Sequence, residues 1–425
     1  MIRMFIKVIL WMGILLFFYT SQILAQKLLI PMDLAQTDHL KAYGVTYWTL
    51  EHGITVEWLL NYRGGSFMMN YNGDIERECR VRGITFELVN GVSSAKIYNA
   101  VEENNMDVVL LEKAPSIAVY TPPNVQPWDD AVTLALTYAE IHYEKVWDEE
   151  VLAGKLEEYD WIHLHHEDFT GQYGKFYATH GQERWYIEEQ IQYEALARKL
   201  GFKKVSDQKK AVARAIKEYV RNGGFMFAMC SAADAFDIAL ASENIDIVDT
   251  IYDGDPPDPD CQKKLNFSKC LAFENFTLEM NPLVYEFSDI DIPPSTQVSL
   301  RTPEADYFSL FEFSAKHDPV PTMLTQNHVG AVKGFMGQTT GFKRSLIKKS
   351  VIIMGEVENS EQVKYIHGNF GSGTFTFYGG HDPEDYTHLV GDPPTQLSLH
   401  KNSPGYRLIL NNVLFPAAKK KEQKT

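Results

Sequence analysis

Cysteine is scarce in this chain. There are four in 425 residues, at Cys79, Cys230, Cys261 and Cys270. So few thiols exclude a disulfide scaffold. Cys261 and Cys270 share one polar, Pro/Asp-rich loop and could pair, which would leave Cys79 and Cys230 as thiols. Positive charge is also short, with 40 Lys and Arg against 56 Asp and Glu and a net charge of −16. Nucleic-acid binding needs a basic stripe, and none is present. The one basic run, Lys419-Lys420-Lys421 near Lys424, reads as a solvated tail. Long apolar runs are missing as well. Val8 to Phe18 is too short to span a bilayer comfortably, so no membrane span is expected once it is removed.

That short run belongs to a targeting signal. Arg3 and Lys7 form a basic start, and Ser21-Gln22-Ile23-Leu24-Ala25 ends on a small residue suited to cleavage. Residues 1–26 are therefore expected to be a signal peptide, with an uncleaved membrane anchor as the lesser alternative, and the protein to be exported, periplasmic or extracellular. Removing the segment takes away two bases and no acid, so the remainder is more acidic still.

Hydrophobic residues make up 45% of the chain, ample for a real core. Strand-like and helix-like segments alternate along it, which predicts an α/β fold with a parallel sheet covered on both faces. The expected divisions are an N-terminal α/β unit over 27–113, a core over 114–290 and 346–416, a turn-rich insertion over 291–345 and a basic tail over 417–425. In the insertion, Phe308–Phe313, Thr322–Thr325 and Val332–Met336 read as strand-like. Tyr62-Arg63-Gly64-Gly65-Ser66 lacks a phosphate-loop lysine and reads as a plain turn. The acidic loop Asp253–Asp260 lacks the strict calcium-loop pattern and reads as solvated.

The clearest reactive group is Cys230. The stretch Gly223 to Asp234 reads as a buried apolar strand, a tight corner and the start of a helix, and Ala233 to Ala241 is helical. A cysteine at a strand-to-helix corner projects from the carboxyl end of a sheet, where the helix amides favour a thiolate. The bland alternative is a small buried hydrophobe. A second cluster follows the strand Asp160–Leu164, in His163-Leu164-His165-His166-Glu167-Asp168. His163 and His165 share a face if the strand continues, and Glu167 or Asp168 could complete a metal set. Without H-E-x-x-H spacing, a polar strand end lining a cleft explains these residues equally. The following loop, with Phe169, Tyr173 and Phe176, looks like a substrate-covering segment. Far downstream, a Gly371-Ser372-Gly373 turn and a strand deliver Gly379-Gly380-His381-Asp382-Pro383-Glu384-Asp385.

A strand–Cys–helix corner followed by strand-Gly-Gly-His resembles the class I glutamine amidotransferase-like superfamily, including its trehalose-utilisation-type relatives. The resemblance implies a doubly wound, mostly parallel sheet with Cys230 as nucleophile, His381 as base and Glu384 as the orienting carboxylate, with Asp382 as its rival. The family's elbow, Gly-x-Cys-x-Gly, is here Ala228-Met229-Cys230-Ser231-Ala232, and its His-Pro-Glu is here His381-Asp382-Pro383-Glu384. The whole chain is also similar to exported bacterial proteins commonly catalogued as asparagine synthetase B, through Leu40–Gly44, Trp58–Ser66, Trp161–Phe169 and Gly379–Asp385. The synthetase chemistry of that name needs a cysteine at the mature N-terminus and a Ser-Gly-Gly-x-Asp-Ser loop, and neither is present.

Three readings follow. In the first, the protein is a thiol-dependent amide hydrolase using Cys230, His381 and Glu384 or Asp382. In the second, it is a non-catalytic protein that binds a small molecule, sugar or peptide through His163, His165, His166, Glu167, Asp168 and Tyr173. In the third, it is a metal-assisted hydrolase built on His163, His165 and Glu167. No cofactor is expected beyond a divalent metal in that third case.

Overall fold

The computed structural model describes residues 26–124, 126–292, 302–387 and 389–418. The expected signal segment up to residue 25, the run Lys419–Lys421 and residues 293–301 of the expected insertion lie outside these. No helix among the described residues is long and apolar enough to cross a membrane. The chain divides into two compact units. One takes the chain up to Ala114 together with Phe313–His328 and the residues from Ala417 on. The other takes Pro115–Glu312 and Val329–Pro416.

In the first unit, strands β1 (Lys27–Ile30), β2 (Val56–Leu60), β3 (Ser66–Asn70), β4 (Glu87–Val89) and β5 (Asp107–Leu111) form one sheet in the order β4-β1-β3-β2-β5. Every pairing in it is antiparallel, which corrects the expectation of a parallel sheet throughout. The reason is local. Tyr62–Gly65 is a tight turn with Arg63, Gly64 and Gly65 all left-handed, so β2 and β3 close as a hairpin. A side chain at Gly64 would meet the Met32 carbonyl at 2.3 Å. Asp38 caps the helix His39–Glu51 by accepting from the Lys41 amide at 2.9 Å. Thr322–Thr325, expected as strand, instead lies at the end of the helix Pro319–Leu324, started by its N-terminal prolines.

The second unit holds a sheet of ten strands. These are β6 (Ile117–Tyr120), β7 (Glu144–Val146), β8 (Trp161–Leu164), β9 (Phe225–Met229), β10 (Tyr307–Leu310), β11 (Ala331–Lys333), β12 (Phe342–Lys343), β13 (Ile352–Glu356), β14 (Gln362–Phe370) and β15 (Gly373–Tyr378). From one edge the order is β7-β6-β8-β9-β15, all parallel. Beyond β15 the sheet continues through β14, β13, β10 and β11, all antiparallel. The unit is thus α/β with a mixed sheet, parallel in one half only. The hairpin at Gly371 turns the chain back and makes β14 antiparallel to β15.

Helices cover both faces of the parallel half. Ala118, Tyr120, Ile162, Leu164, Met226, Ala228, Phe375 and Phe377 share one core with the helices Val205–Arg221 and Ala232–Ala241. The alternate residues point the other way. Trp161 stacks on Phe227 there, and Phe225 meets Phe415 just after the helix Pro404–Leu414. Two covered faces explain why these strands read as continuous apolar runs. The four cysteines are buried free thiols, which corrects the option of a Cys261–Cys270 bridge. The Cys270 thiol instead donates to the Asp237 carbonyl at 3.3 Å.

Candidate functional site

Written as positions in the chain, β7-β6-β8-β9-β15 is the order 2-1-3-4-5. The first crossover goes to one side of β6 and the next returns to the other, so the topological switch lies between β6 and β8. Open α/β sheets bind ligands there, outside the carboxyl ends of the strands. Four segments leave the sheet at that edge: Thr121–Asp130 after β6, His165–Asp168 after β8, Cys230 after β9 and Gly379–His381 after β15.

Cys230 has a φ of +50°, in the left-handed region. A residue with a Cβ pays about 1–2 kcal/mol to sit there. Two interactions hold the corner. The Cys230 amide donates to the Gly380 carbonyl at 3.2 Å, and the Ala232 amide donates to the His165 carbonyl at 3.0 Å. The cysteine is therefore tied by backbone to the residue before His381, and its helix to a residue of the histidine run. The cysteine is 3% exposed.

His165 and His381 meet directly, Nε2 to Nδ1 at 3.0 Å. Each ring turns its other nitrogen toward a carboxylate. Asp130 Oδ2 lies 3.5 Å from His165 Nδ1, and Asp129 Oδ1 lies 3.8 Å from His381 Nε2. Asp130 serves twice. Its Oδ1 caps the helix Ala131–Ala139 by accepting from the Thr133 amide, while Oδ2 faces His163 Nε2 at 3.2 Å. Burial alone would push the Asp130 carboxyl up, but His163 and His165 outweigh it and hold the group well below the usual range. His163 is fully engaged, since its Nδ1 contacts the Phe227 carbonyl at 3.2 Å.

His166 lies beside the His165 and His381 rings and takes the Trp128 indole proton on Nε2. Burial, reinforced by the neighbouring histidines, holds it neutral, with its pKa well below the ordinary value. Glu167 Oε2 accepts from the His165 amide at 3.0 Å, and Oε1 makes no hydrogen bond. Burial, with the charge of Asp130, pushes this carboxyl up to about 8. A narrow cavity of about 20 Å³ lies against His166, Glu167, Trp128, Tyr173 and Lys209, enough for one water.

The other expected site residues divide. Asp168 organises its own loop, accepting from the Thr170 amide and hydroxyl and the Gln172 amide, each at 2.6 Å. Tyr173 lines the cavity, at a φ of +49°. Asp382 accepts from the Tyr406 hydroxyl at 2.8 Å and from the Glu384 amide at 2.8 Å. Glu384 pairs with His400 at 3.0 Å. The carboxylates facing the histidines are thus Asp129 and Asp130, not Glu384 or Asp382. The metal set His163, His165 and Glu167 does not converge either. The ligand atoms that do converge, all within 4.8 Å of one another, are those of His165, His166 and His381, and separately those of Asp130, His163 and His165.

Sequence reasoning did not single out Trp128, Asp129, Asp130 or the segment Met336–Thr340. That segment walls the site. The Met336 carbonyl accepts the His381 amide at 2.8 Å, and the Thr339 carbonyl accepts the Gly380 amide at 2.7 Å. The usable signal was the doubled aspartate ahead of a helix, where capping needs only one.

No protein-family model and no curated protein sequence matches this chain. Among solved structures it is similar to cytoplasmic protein STM3548 from Salmonella typhimurium, at 10% identity and a TM-score of 0.33, over 72% of this chain and 100% of that one. It is similar also to cytoplasmic protein STM1381 from Salmonella typhimurium LT2, at 11% identity and a TM-score of 0.34, over 71% and 99%. A third likeness is to Gan42B, a GH42 beta-galactosidase, at 10% identity and a TM-score of 0.26, over 64% of this chain and 28% of that one. These likenesses are too remote to carry fold or function.

Proposed function

We propose that this protein is a thiol-dependent amide hydrolase on a class I glutamine amidotransferase-like fold, of the exported family catalogued as asparagine synthetase B but without synthetase chemistry. The observation that carries the reading is the left-handed backbone of Cys230 at a strand-to-helix corner. Non-glycine residues in that conformation cluster at functional sites, and a nucleophile on such an elbow is raised out of the sheet toward substrate. The strand order and the position at the switch point support the same fold.

In this mechanism the Cys230 proton passes to His381, and the thiolate attacks the amide carbonyl carbon. The carbon–sulfur bond forms, the carbon–nitrogen bond breaks, and the departing amine takes the proton from the His381 imidazolium. Water, giving a proton to His381, then attacks the thioester carbon; the carbon–oxygen bond forms, the carbon–sulfur bond breaks, a carboxylic acid leaves and the proton returns to the Cys230 sulfur. Asp129, facing His381 Nε2, stabilises the imidazolium in place of the expected Glu384. The Ser231 amide, next after the nucleophile, is the donor such elbows offer to the oxyanion. The ligand is a small-molecule or peptide amide, and the acidic balance of the chain disfavours nucleic acid. Export, expected from the N-terminal segment, is part of the same proposal.

The test is release of ammonia or amine from a panel of small and peptide amides by the wild type and by Cys230→Ser. Turnover that disappears in the variant supports the reading. Turnover that survives the substitution, or its absence across the panel for wild type, overturns it.

A further inference from the structure

His165 Nε2 and His381 Nδ1 face each other at 3.0 Å. The opposite nitrogen of each ring faces its own aspartate, Asp130 or Asp129. The contact is a hydrogen bond in one tautomer and a pair of facing lone pairs in the other. In the second tautomer the lone pairs repel unless something positive lies between them, which is the form a cation selects. One ring nitrogen from each of His165, His166 and His381 lies within 4.8 Å of the other two. Nitrogen ligands bound tetrahedrally at ~2.0–2.1 Å sit about 3.3 Å apart, close to the spacing seen. Carboxylates behind imidazoles are also how proteins fix the tautomer and direction of metal-binding histidines.

We propose that His165, His166 and His381 bind a divalent transition cation of the zinc class. Three neutral imidazoles suit such borderline cations and not magnesium or calcium, which take oxygen ligands. The three side chains come from two segments, the β8 end and the β15 end, so the cation would pin together two strand ends on either side of Cys230. The His166 ring cannot accept the Trp128 indole proton and coordinate through the same nitrogen, so binding through Nε2 displaces that indole. A bound cation also takes the Nδ1 lone pair of His381. Resting here on the thiol reading, the cation is then a brake, because His381 no longer takes the Cys230 proton.

The test is titration of the full chain with cobalt(II) chloride, followed by visible absorption, which reports coordination whatever the activity. The expected result is one equivalent bound with a tetrahedral d–d band, displaced by zinc. The band persists in Cys230→Ser, which removes thiol coordination as its source. It disappears in His166→Ala and in His165→Ala, with far-UV circular dichroism confirming the fold. Asp130→Asn keeps an acceptable helix cap and weakens binding about 10–100-fold. No band in the wild type, or a band unchanged in His166→Ala and His165→Ala, overturns the cation site and leaves the thiol reading standing. The brake is read separately, as the rate of Cys230 alkylation with and without zinc. A cobalt band together with an unchanged alkylation rate overturns the brake alone.

Discussion

Replacing Cys230 by glycine and by alanine measures how strongly the corner is strained. At an ordinary buried position glycine is less stable than alanine, for two reasons. It gains about 0.5–1 kcal/mol more freedom in the unfolded chain, and it loses about 0.8 kcal/mol of buried methyl. The expected deficit is therefore about 1.5 kcal/mol. At Cys230 the φ of +50° changes the balance. Alanine retains the left-handed cost of about 1–2 kcal/mol, and glycine is relieved of it. The two terms nearly cancel, so Cys230→Gly should match Cys230→Ala within about 0.5 kcal/mol. Ala235 supplies the control. It is fully buried inside the helix Ala232–Ala241, so Ala235→Gly should fall below the wild type by the full ordinary deficit. Urea unfolding of the three variants and the wild type, followed by tryptophan fluorescence, gives the two differences. If the glycine deficit at 230 equals that at 235, the corner is unstrained and the elbow reasoning is wrong.

Other consequences follow from buried charge. Burial pushes the Asp234 carboxyl up to about 7, against 3.8 in the unfolded chain. In that window the folded state holds the proton that the unfolded state has released, so stability is full below pH ~4 and declines as pH rises through 7. Asp234→Asn keeps an oxygen for the Thr339 hydroxyl, and its advantage in urea unfolding should be absent at pH 4 and clear at pH 8. Lys209 pairs with Asp148 at 2.9 Å, both 1% exposed, with its ammonium 3.8 Å from the Trp147 ring centre. Lys209→Met strands a buried carboxylate and should cost about 3–5 kcal/mol, most of it recovered by adding Asp148→Asn. Because Glu384 pairs with His400 while Asp129 faces His381, Glu384→Gln should leave the Cys230 alkylation rate unchanged at pH 7, whereas Asp129→Asn should lower it.

Much of the second unit was legible from residues alone. The apolar runs of β6, β8, β9 and β15 marked buried strands, and the cysteine and histidine segments fall together at the carboxyl ends of those strands. The parallel half of the sheet follows from the alternation of strand and helix, but the antiparallel extension does not, because β10 to β13 are short and interrupted by turns. In the first unit a Gly-Gly turn that reverses the chain outweighed the α/β rhythm around it. Glu384 was expected as the orienting carboxylate through the resemblance of His381-Asp382-Pro383-Glu384 to the amidotransferase His-Pro-Glu. The chain turns at Pro383, with the Glu384 amide bonded back to Asp382, and the carboxyl goes to His400 instead. Asp129 and Asp130 reach the histidines from a segment more than thirty residues upstream of β8's end, a proximity that only tertiary structure creates. The elbow lacks the flanking glycines of the amidotransferase pattern, yet the backbone adopts the left-handed form with cysteine itself.

The central claim is that Cys230 is a poised thiol and not core filling. Burial pushes Cys79 up to about 12 and Cys270 well above its ordinary value, so both are inert at neutral pH. Iodoacetamide labelling of the native protein at pH 7, with peptide mapping over time, separates the candidates. Cys230 should label first, and more slowly in His381→Ala. If Cys230 stays unlabelled until the protein is denatured, the thiol is a core residue and the account is contradicted.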